Sequence, residues 1–128
     1  MHKDFKKWHS KKSSLNELPG PPFFHEGEIW FCHLGVNIGS EQDGLGNDFL
    51  RPIAIIRKFN REILWGVPLT RTQKKSLYYF AFPFKEAISV AILSQVRLID
   101  ARRLSYLLGS MASKDLGEMR ERLKALIP

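Results

Sequence analysis

Short runs of apolar residues recur through the middle of the chain, and glycine, proline or polar residues separate them. Each run is rich in the β-branched and aromatic residues that favour strands. Several runs are joined by short connections, so we predict five or more strands in a small antiparallel barrel. The runs are GEIWFCHL (27–34), IAIIRKF (53–59), EILWGVPLT (62–70), LYYFAF (77–82) and SVAILSQVRLI (89–99).

The residues between and within these runs refine the prediction. Asn60 and Arg61 indicate a tight turn, so the second and third runs should pair as a hairpin. Pro68 favours an edge or strand-end position for the third run, because proline cannot donate a ladder hydrogen bond. Pro83 and the polar residues 85–87 predict the break between the fourth and fifth runs.

After residue 99 the apolar residues recur at intervals of three and four, which predicts C-terminal helices. Asp100 is expected to cap a short helix that ends at Gly109, and a second helix is expected to begin near Ser113. The apolar positions of these two helices are Leu104, Leu107, Leu108, Leu116, Met119, Leu123 and Leu126. The predicted fold class is therefore α+β, mainly β.

The N-terminal segment differs from the rest of the chain in composition. Residues 4–18 place Phe5 and Trp8 at near-helical spacing, with lysines on the opposite side. We predict a basic, helical arm over residues 1–22, ended by its prolines, and one domain over residues 23–128. The two aromatic residues either pack the arm onto the domain, which we favour, or stack on RNA.

Length and composition limit the classes of protein that the chain can represent. Its 128 residues suit one domain, and a hydrophobic content of 44% indicates a packed core. No apolar run approaches the roughly 18 residues of a membrane span, and no secretory signal follows the basic start, so we expect a cytoplasmic protein without membrane contact. One cysteine, Cys32, and four scattered histidines lack metal-ligand spacing. We therefore expect no metal and no cofactor.

Positive charge is concentrated in one part of the chain. The net charge is +7, and residues 51–75 contain seven basic side chains against one acidic side chain, a local charge of +6. Such a surface either promotes solubility or binds a polyanion, since phosphates release counterions when they meet basic groups. The clustering favours nucleic acid as the partner.

Two polar residues stand at strand ends where the chemistry of RNA cleavage could take place. Cleavage without a metal requires proton transfer at the ribose 2′-hydroxyl and positive charge near the phosphate. If the second and third runs pair through Asn60, Arg51 and Thr70 meet at the open end of the hairpin. The alternative is an exposed loop charge and an ordinary turn hydroxyl. The histidines lie in the arm, at its junction or within a strand, which disfavours a paired-histidine mechanism.

Four segments in order resemble the PemK/MazF family of toxin endoribonucleases from bacterial toxin–antitoxin modules. They are GEIWFCHLGVNIGSEQ, RPIAII, VPLT and LSQVRLIDARRL, and the resemblance spans about residues 26–127. It implies a small SH3-like β-barrel that forms a homodimer. It also implies metal-independent cleavage of single-stranded RNA to 2′,3′-cyclic phosphate and 5′-hydroxyl ends, an antitoxin partner, and contact with operator DNA only through the antitoxin complex.

The same resemblance implies roles for individual residues. Arg51 and Thr70 would be the main catalytic pair, with Glu41 in support. Because the arginine pKa lies above about 12, we assign Arg51 to the charge of the phosphorane, Glu41 to proton acceptance, and Thr70 to phosphate orientation or proton relay. Residues 43–50 lengthen the loop before Arg51 relative to short members of the family. Substrate contacts are assigned to Ser40, Gln42, Arg71, Gln95 and Arg97.

Two other functions fit parts of the sequence. An SH3-like module without catalytic activity could use the basic rim to bind nucleic acid or protein, because a fold does not dictate one function. The lysine-rich arm could instead act at a membrane surface, in which case deletion of residues 1–22 would abolish lipid binding.

Overall fold

The computed structural model describes residues 20–35 and 50–128. Residues 1–19 of the expected helical arm lie outside this range, and the boundary between arm and domain stays a prediction. The mainly β, antiparallel class is confirmed. The elements are β1 (Glu28–His33), β2 (Leu50–Lys58), β3 (Ile63–Thr70), β4 (Tyr79–Phe84), β5 (Ala87–Ile92), β6 (Arg97–Asp100), β7 (Leu104–Ser110) and one α-helix, α1 (Ser113–Ala125).

The strand β3 lies at the centre of the sheet. The order is β4-β5-β3-β2-β1-β7, and β6 also pairs with β3. On the side of β3 away from β2, residues 63–66 pair with β6, and Leu69 and Thr70 pair with β5. Pro68 lies between these two segments, so the predicted edge or strand-end position was wrong. Proline is tolerated in this central strand because neither partner on that side pairs with it.

The run at residues 89–99 forms two strands, where we predicted one. A 3₁₀ helix at Leu93–Gln95 separates β5 from β6. This turn allows β5 to pair with the end of β3 and β6 to pair with its beginning. The break between β4 and β5 falls at Lys85 and Glu86, and Pro83 lies within β4.

The predicted helix from Asp100 to Gly109 was wrong beyond its first turn. Asp100 Oδ1 does accept a hydrogen bond from the Arg102 backbone N–H at 2.9 Å, but the 3₁₀ helix contains only Ala101–Arg103. The following residues form β7, which pairs with β1. Strand pairing at the edge of β1 outweighs the helical preference of the leucine spacing, since propensity is a weak determinant. The C-terminal helices that we predicted therefore reduce to α1 within the described residues.

Both faces of β2 are buried over residues 53–56, which explains why this strand is apolar without alternation. Ala54 and Ile56 lie in one core cluster, and Ile53 and Ile55 lie in the other. The helix α1 belongs to the first cluster through Met119, which is fully buried. The first cluster also contains Ile29 and Leu69, so the packing of α1 is connected to the walls of the cleft described next.

Candidate functional site

The strands β2 and β3 form the hairpin that the sequence predicts. Asn60 Oδ1 accepts hydrogen bonds from the backbone N–H groups of Glu62 and Ile63, at 2.8 and 3.0 Å, and so stabilises the turn. Ile53 lies opposite Pro68. Continuing this register by two residues brings Arg51 opposite Thr70 at the open end, and both residues line the same cleft.

The cleft has a volume of about 670 Å³ and lies between the open end of this hairpin and the β4–β5 hairpin. Its size is within the range of ligand-binding sites, which is roughly 300–1,000 Å³. The larger apolar residues of its lining are Ile29, Phe31, Pro52, Leu69, Phe84 and Leu108. The polar side chains around it are Arg51, Thr70, Arg71, Thr72, Lys85, Glu86 and Ser89.

Arg51 is the buried cation of this cleft. The residue is 8% exposed, and among the described residues its buried Nε has no hydrogen-bond partner. Burial lowers the pKa of the Arg51 guanidinium from its ordinary value, because removal from water disfavours the charged form. An unpartnered buried donor is costly, and the Arg51 guanidinium, which lines the cleft, can donate to an anion bound there.

Thr70 places a hydroxyl at the same end of the hairpin. Its Oγ1 accepts a hydrogen bond from the Thr72 backbone N–H at 3.2 Å. Because a hydroxyl can accept and donate at once, this bond orients the oxygen and leaves the Thr70 O–H able to donate into the cleft. Arg71 follows in the chain and is exposed at the rim.

The β4–β5 hairpin adds a cation that the sequence analysis did not identify. Lys85 and Glu86 form its two-residue turn, between the paired residues Phe84 and Ala87. Lys85 has a φ of +54°, which is uncommon outside glycine and typical of tight hairpin turns. Both turn residues line the cleft. The turn was recognisable in the sequence, but its position opposite Arg51 depends on the pairing of β5 with β3.

The remaining predicted site residues fall into two groups. Gln95 and Arg97 do not line the cleft: Gln95 ends a 3₁₀ helix, and Arg97 begins β6, paired with Gly66. Arg97 lies close enough to Cys32 and Arg103 to affect their pKa values. The other group, Ser40, Glu41 and Gln42, lies outside the described residues.

Cys32 is fully buried in the second core cluster, on the strand next to Arg51. Burial raises the pKa of its thiol to about 12, although Arg103 and Arg97 favour the thiolate. We expect the folded protein to resist iodoacetamide at about pH 8.5, whereas the unfolded chain should react quickly because an exposed thiol has a pKa of about 8.5. Mass spectrometry after labelling with and without guanidinium chloride measures this difference. Rapid labelling of the folded protein would contradict the prediction.

Within residues 20–35 and 50–128, no three His, Cys, Asp or Glu side chains are grouped as metal ligands. In the same part of the chain, no helix has the length and apolar character needed to cross a membrane.

Similarity to known proteins is found in both sequence and structure. A sequence model of PemK-like, MazF-like toxins of type II toxin–antitoxin systems matches residues 25–127. Comparison with curated proteins found no significant match.

Solved structures share the fold at low sequence identity. One is an endoribonuclease in complex with its cognate antitoxin from a mycobacterial species, at 17% identity and a TM-score of 0.64, with 83% of this chain and 98% of that chain covered. Another is MazF from Deinococcus radiodurans, at 19% identity and a TM-score of 0.63, with 84% and 96% covered. A MazE–MazF structure from the same organism gives 16% identity and a TM-score of 0.59, with 84% and 95% covered.

Proposed function

This chain belongs to the PemK-like, MazF-like toxin family of type II toxin–antitoxin systems, and we propose that it is a toxin that cleaves single-stranded RNA without a metal ion. Cleavage of mRNA would inhibit translation and growth. A cytoplasmic location agrees with this substrate.

The observation that carries the proposal is the buried Nε of Arg51, which has no hydrogen-bond partner among the described residues, in the same cleft as Thr70. Among the described charged residues that line the cleft, Arg51, Arg71 and Lys85 outnumber Glu86, so an anion is the favoured ligand. A guanidinium can donate two parallel hydrogen bonds to a phosphate. A phosphodiester held there would lie near the apolar residues of the lining, which suit an unstacked base.

The reaction that fits these groups is attack of the ribose 2′-oxygen on the adjacent phosphorus. The new P–O2′ bond forms as the P–O5′ bond breaks, which leaves a 2′,3′-cyclic phosphate and a 5′-hydroxyl. Arg51 stabilises the negative charge that develops on the phosphorane. Glu41 accepts the 2′-hydroxyl proton, and Thr70 orients the phosphate or relays a proton to the departing O5′.

Further residues contact the RNA, and an antitoxin is the protein partner. Arg71, at the rim of the cleft, contacts the substrate, and Gln95 and Arg97 contact RNA outside the cleft. Ser40 and Gln42 contact RNA from the loop that precedes β2. An antitoxin covers the basic surface of a toxin homodimer, and operator DNA is bound only through that complex. One similar structure is an endoribonuclease in complex with its cognate antitoxin, and another is a MazE–MazF structure.

Incubation of the purified protein with single-stranded RNA in excess EDTA tests the function. We expect new fragments whose 5′-hydroxyl ends can be labelled by polynucleotide kinase without prior phosphatase treatment, and whose 3′ ends carry a cyclic phosphate. A module that only binds RNA would protect it and generate no new ends. Loss of cleavage in EDTA with recovery on adding a divalent cation would contradict the metal-independent reaction.

Expression in cells tests the toxin role. We expect growth to stop on expression and to recover when a small adjacent reading frame is co-expressed. Normal growth together with active RNA cleavage in vitro would contradict the assignment as a toxin while leaving the nuclease assignment in place.

A further inference from the structure

Aromatic and cationic side chains cluster at the turn end of the β2–β3 hairpin, opposite the end that carries Arg51. We call this cluster the tip patch and define it as Phe23, Arg57, Phe59, Arg61 and Trp65. The Phe59 and Trp65 rings meet edge to face, with centroids 5.0 Å apart. Arg57 Cζ lies 5.4 Å from the Phe59 centroid, and Arg61 Cζ lies 5.3 Å from the Phe23 centroid.

The aromatic rings of the tip patch are open to solvent. Phe23 is 77% exposed, Phe59 is 45% exposed and Trp65 is 42% exposed. Leu98 lies beside Trp65 in the β3–β6 register and is also exposed. Single exposed apolar residues are common on proteins, but Phe59 and Trp65 are in contact and Leu98 lies beside Trp65, and such contiguous apolar exposure marks a binding surface.

The charge of the tip patch identifies the class of ligand. Within the described residues neither Arg57 nor Arg61 forms an ion pair, and each guanidinium lies over a ring. A guanidinium stacked on a ring keeps its N–H groups available for a phosphate. Glu62 is the acidic residue of the turn. The Glu26 carboxylate accepts hydrogen bonds from the Lys58 backbone N–H and from Arg120, so it is already engaged by other groups. Exposed rings with neighbouring cations are the combination that binds single-stranded nucleic acid, by stacking bases and neutralising phosphates.

We propose that the tip patch is a second binding site for single-stranded RNA, separate from the cleft at Arg51. Arg57 is six residues from Arg51 along β2, which corresponds to about 20 Å. One RNA strand several nucleotides long can therefore contact both places. The choice of RNA as the natural ligand rests on the proposed nuclease function. A second copy of the chain is disfavoured, because two such patches face to face would bring like charges together on molecules with a net charge of +7.

Binding of a 12-nucleotide 2′-O-methyl RNA of mixed sequence to the full-length protein tests the site, because this RNA lacks the attacking hydroxyl and stays intact. For the variant with Arg57→Gln and Arg61→Gln, we expect the slope of log K against log salt to become shallower by about 1.4, or about 0.7 for each lost phosphate contact. For the variant with Phe59→Leu and Trp65→Leu, we expect affinity to fall between about 5-fold and 150-fold through lost stacking.

The matched control carries Lys114→Gln and Lys124→Gln, which remove the same charge from exposed positions of α1. This control should bind with nearly the wild-type salt slope. If the control and the arginine variant change equally, the effect is general electrostatic attraction and the tip patch is not a site. Arg57→Gln and Arg61→Gln alter exposed side chains, so the test holds even if the aromatic variant fails to fold.

Three further outcomes separate the tip patch from the proposed function and from a protein interface. If wild type leaves RNA uncut but the tip-patch variants bind it less well, the second site stands and the nuclease proposal fails. If wild type cleaves RNA and all variants bind it equally, the second site is overturned. If sedimentation shows that the variants change the oligomeric state while RNA affinity is unchanged, the patch is an interface between copies.

Discussion

Replacement of Arg51 by methionine is expected to reduce RNA cleavage by roughly 10²- to 10³-fold, the loss typical when one donor to a developing oxyanion is removed. Methionine keeps an unbranched apolar stem but removes the charge. Because the Arg51 Nε is buried without a partner among the described residues, the same change should not lower the free energy of unfolding and should raise it if the stem repacks. Single-turnover cleavage and urea denaturation measure the two effects.

The Arg51→Lys variant provides the matched comparison. It keeps the charge but replaces the planar group by a compact ammonium, so we expect activity between that of wild type and that of Arg51→Met. Lys114 is exposed on α1 and does not line the cleft. Lys114→Met therefore removes one charge and should leave cleavage unchanged. Wild-type cleavage by a folded Arg51→Met protein would contradict the assigned role.

Replacement of Met119 by alanine is expected to lower the free energy of unfolding by about 2–5 kcal/mol, the range measured for truncation of a buried aliphatic side chain. Met119 is fully buried within the core cluster that also holds Ile29 and Leu69. Its loss leaves a cavity under α1. Because those two residues also line the cleft, we expect cleavage to weaken as well, by much less than in Arg51→Met.

The control for this prediction is Lys114→Ala on the exposed side of the same helix, which should change the free energy of unfolding by less than about 0.5 kcal/mol. Guanidinium titration monitored by circular dichroism gives both values. An equal effect of the two substitutions would show that α1 contributes little through packing and that the core assignment of Met119 is wrong.

The β2–β3 hairpin could be predicted from the sequence because its determinants are local. Asn60 forms the turn with its own side chain, and apolar runs of seven and nine residues flank the turn. With the turn and the register known, the approach of Arg51 to Thr70 follows from strand geometry. The buried strands and the helix at Ser113–Ala125 were likewise evident from apolar spacing.

The errors fell where distant segments compete for one piece of chain. Residues 104–110 carry leucines at helical spacing, yet they form β7 because β1 offers an edge to pair with. Proline is normally confined to edge strands. Pro68 lies in the central strand because β5 and β6 leave a gap opposite it. No window of neighbouring residues contains this information.

The antiparallel β class, the hairpin that carries Arg51 and Thr70, and the C-terminal helix α1 follow from residue patterns, because turns and apolar spacing act over a few residues. The cleft does not. Its opposite side comes from Lys85 and Glu86, which are brought to Arg51 by the pairing of β5 with β3. The burial of the Arg51 guanidinium and the contact between Phe59 and Trp65 also depend on packing between strands, since burial is a property of the assembled sheet and not of any one segment.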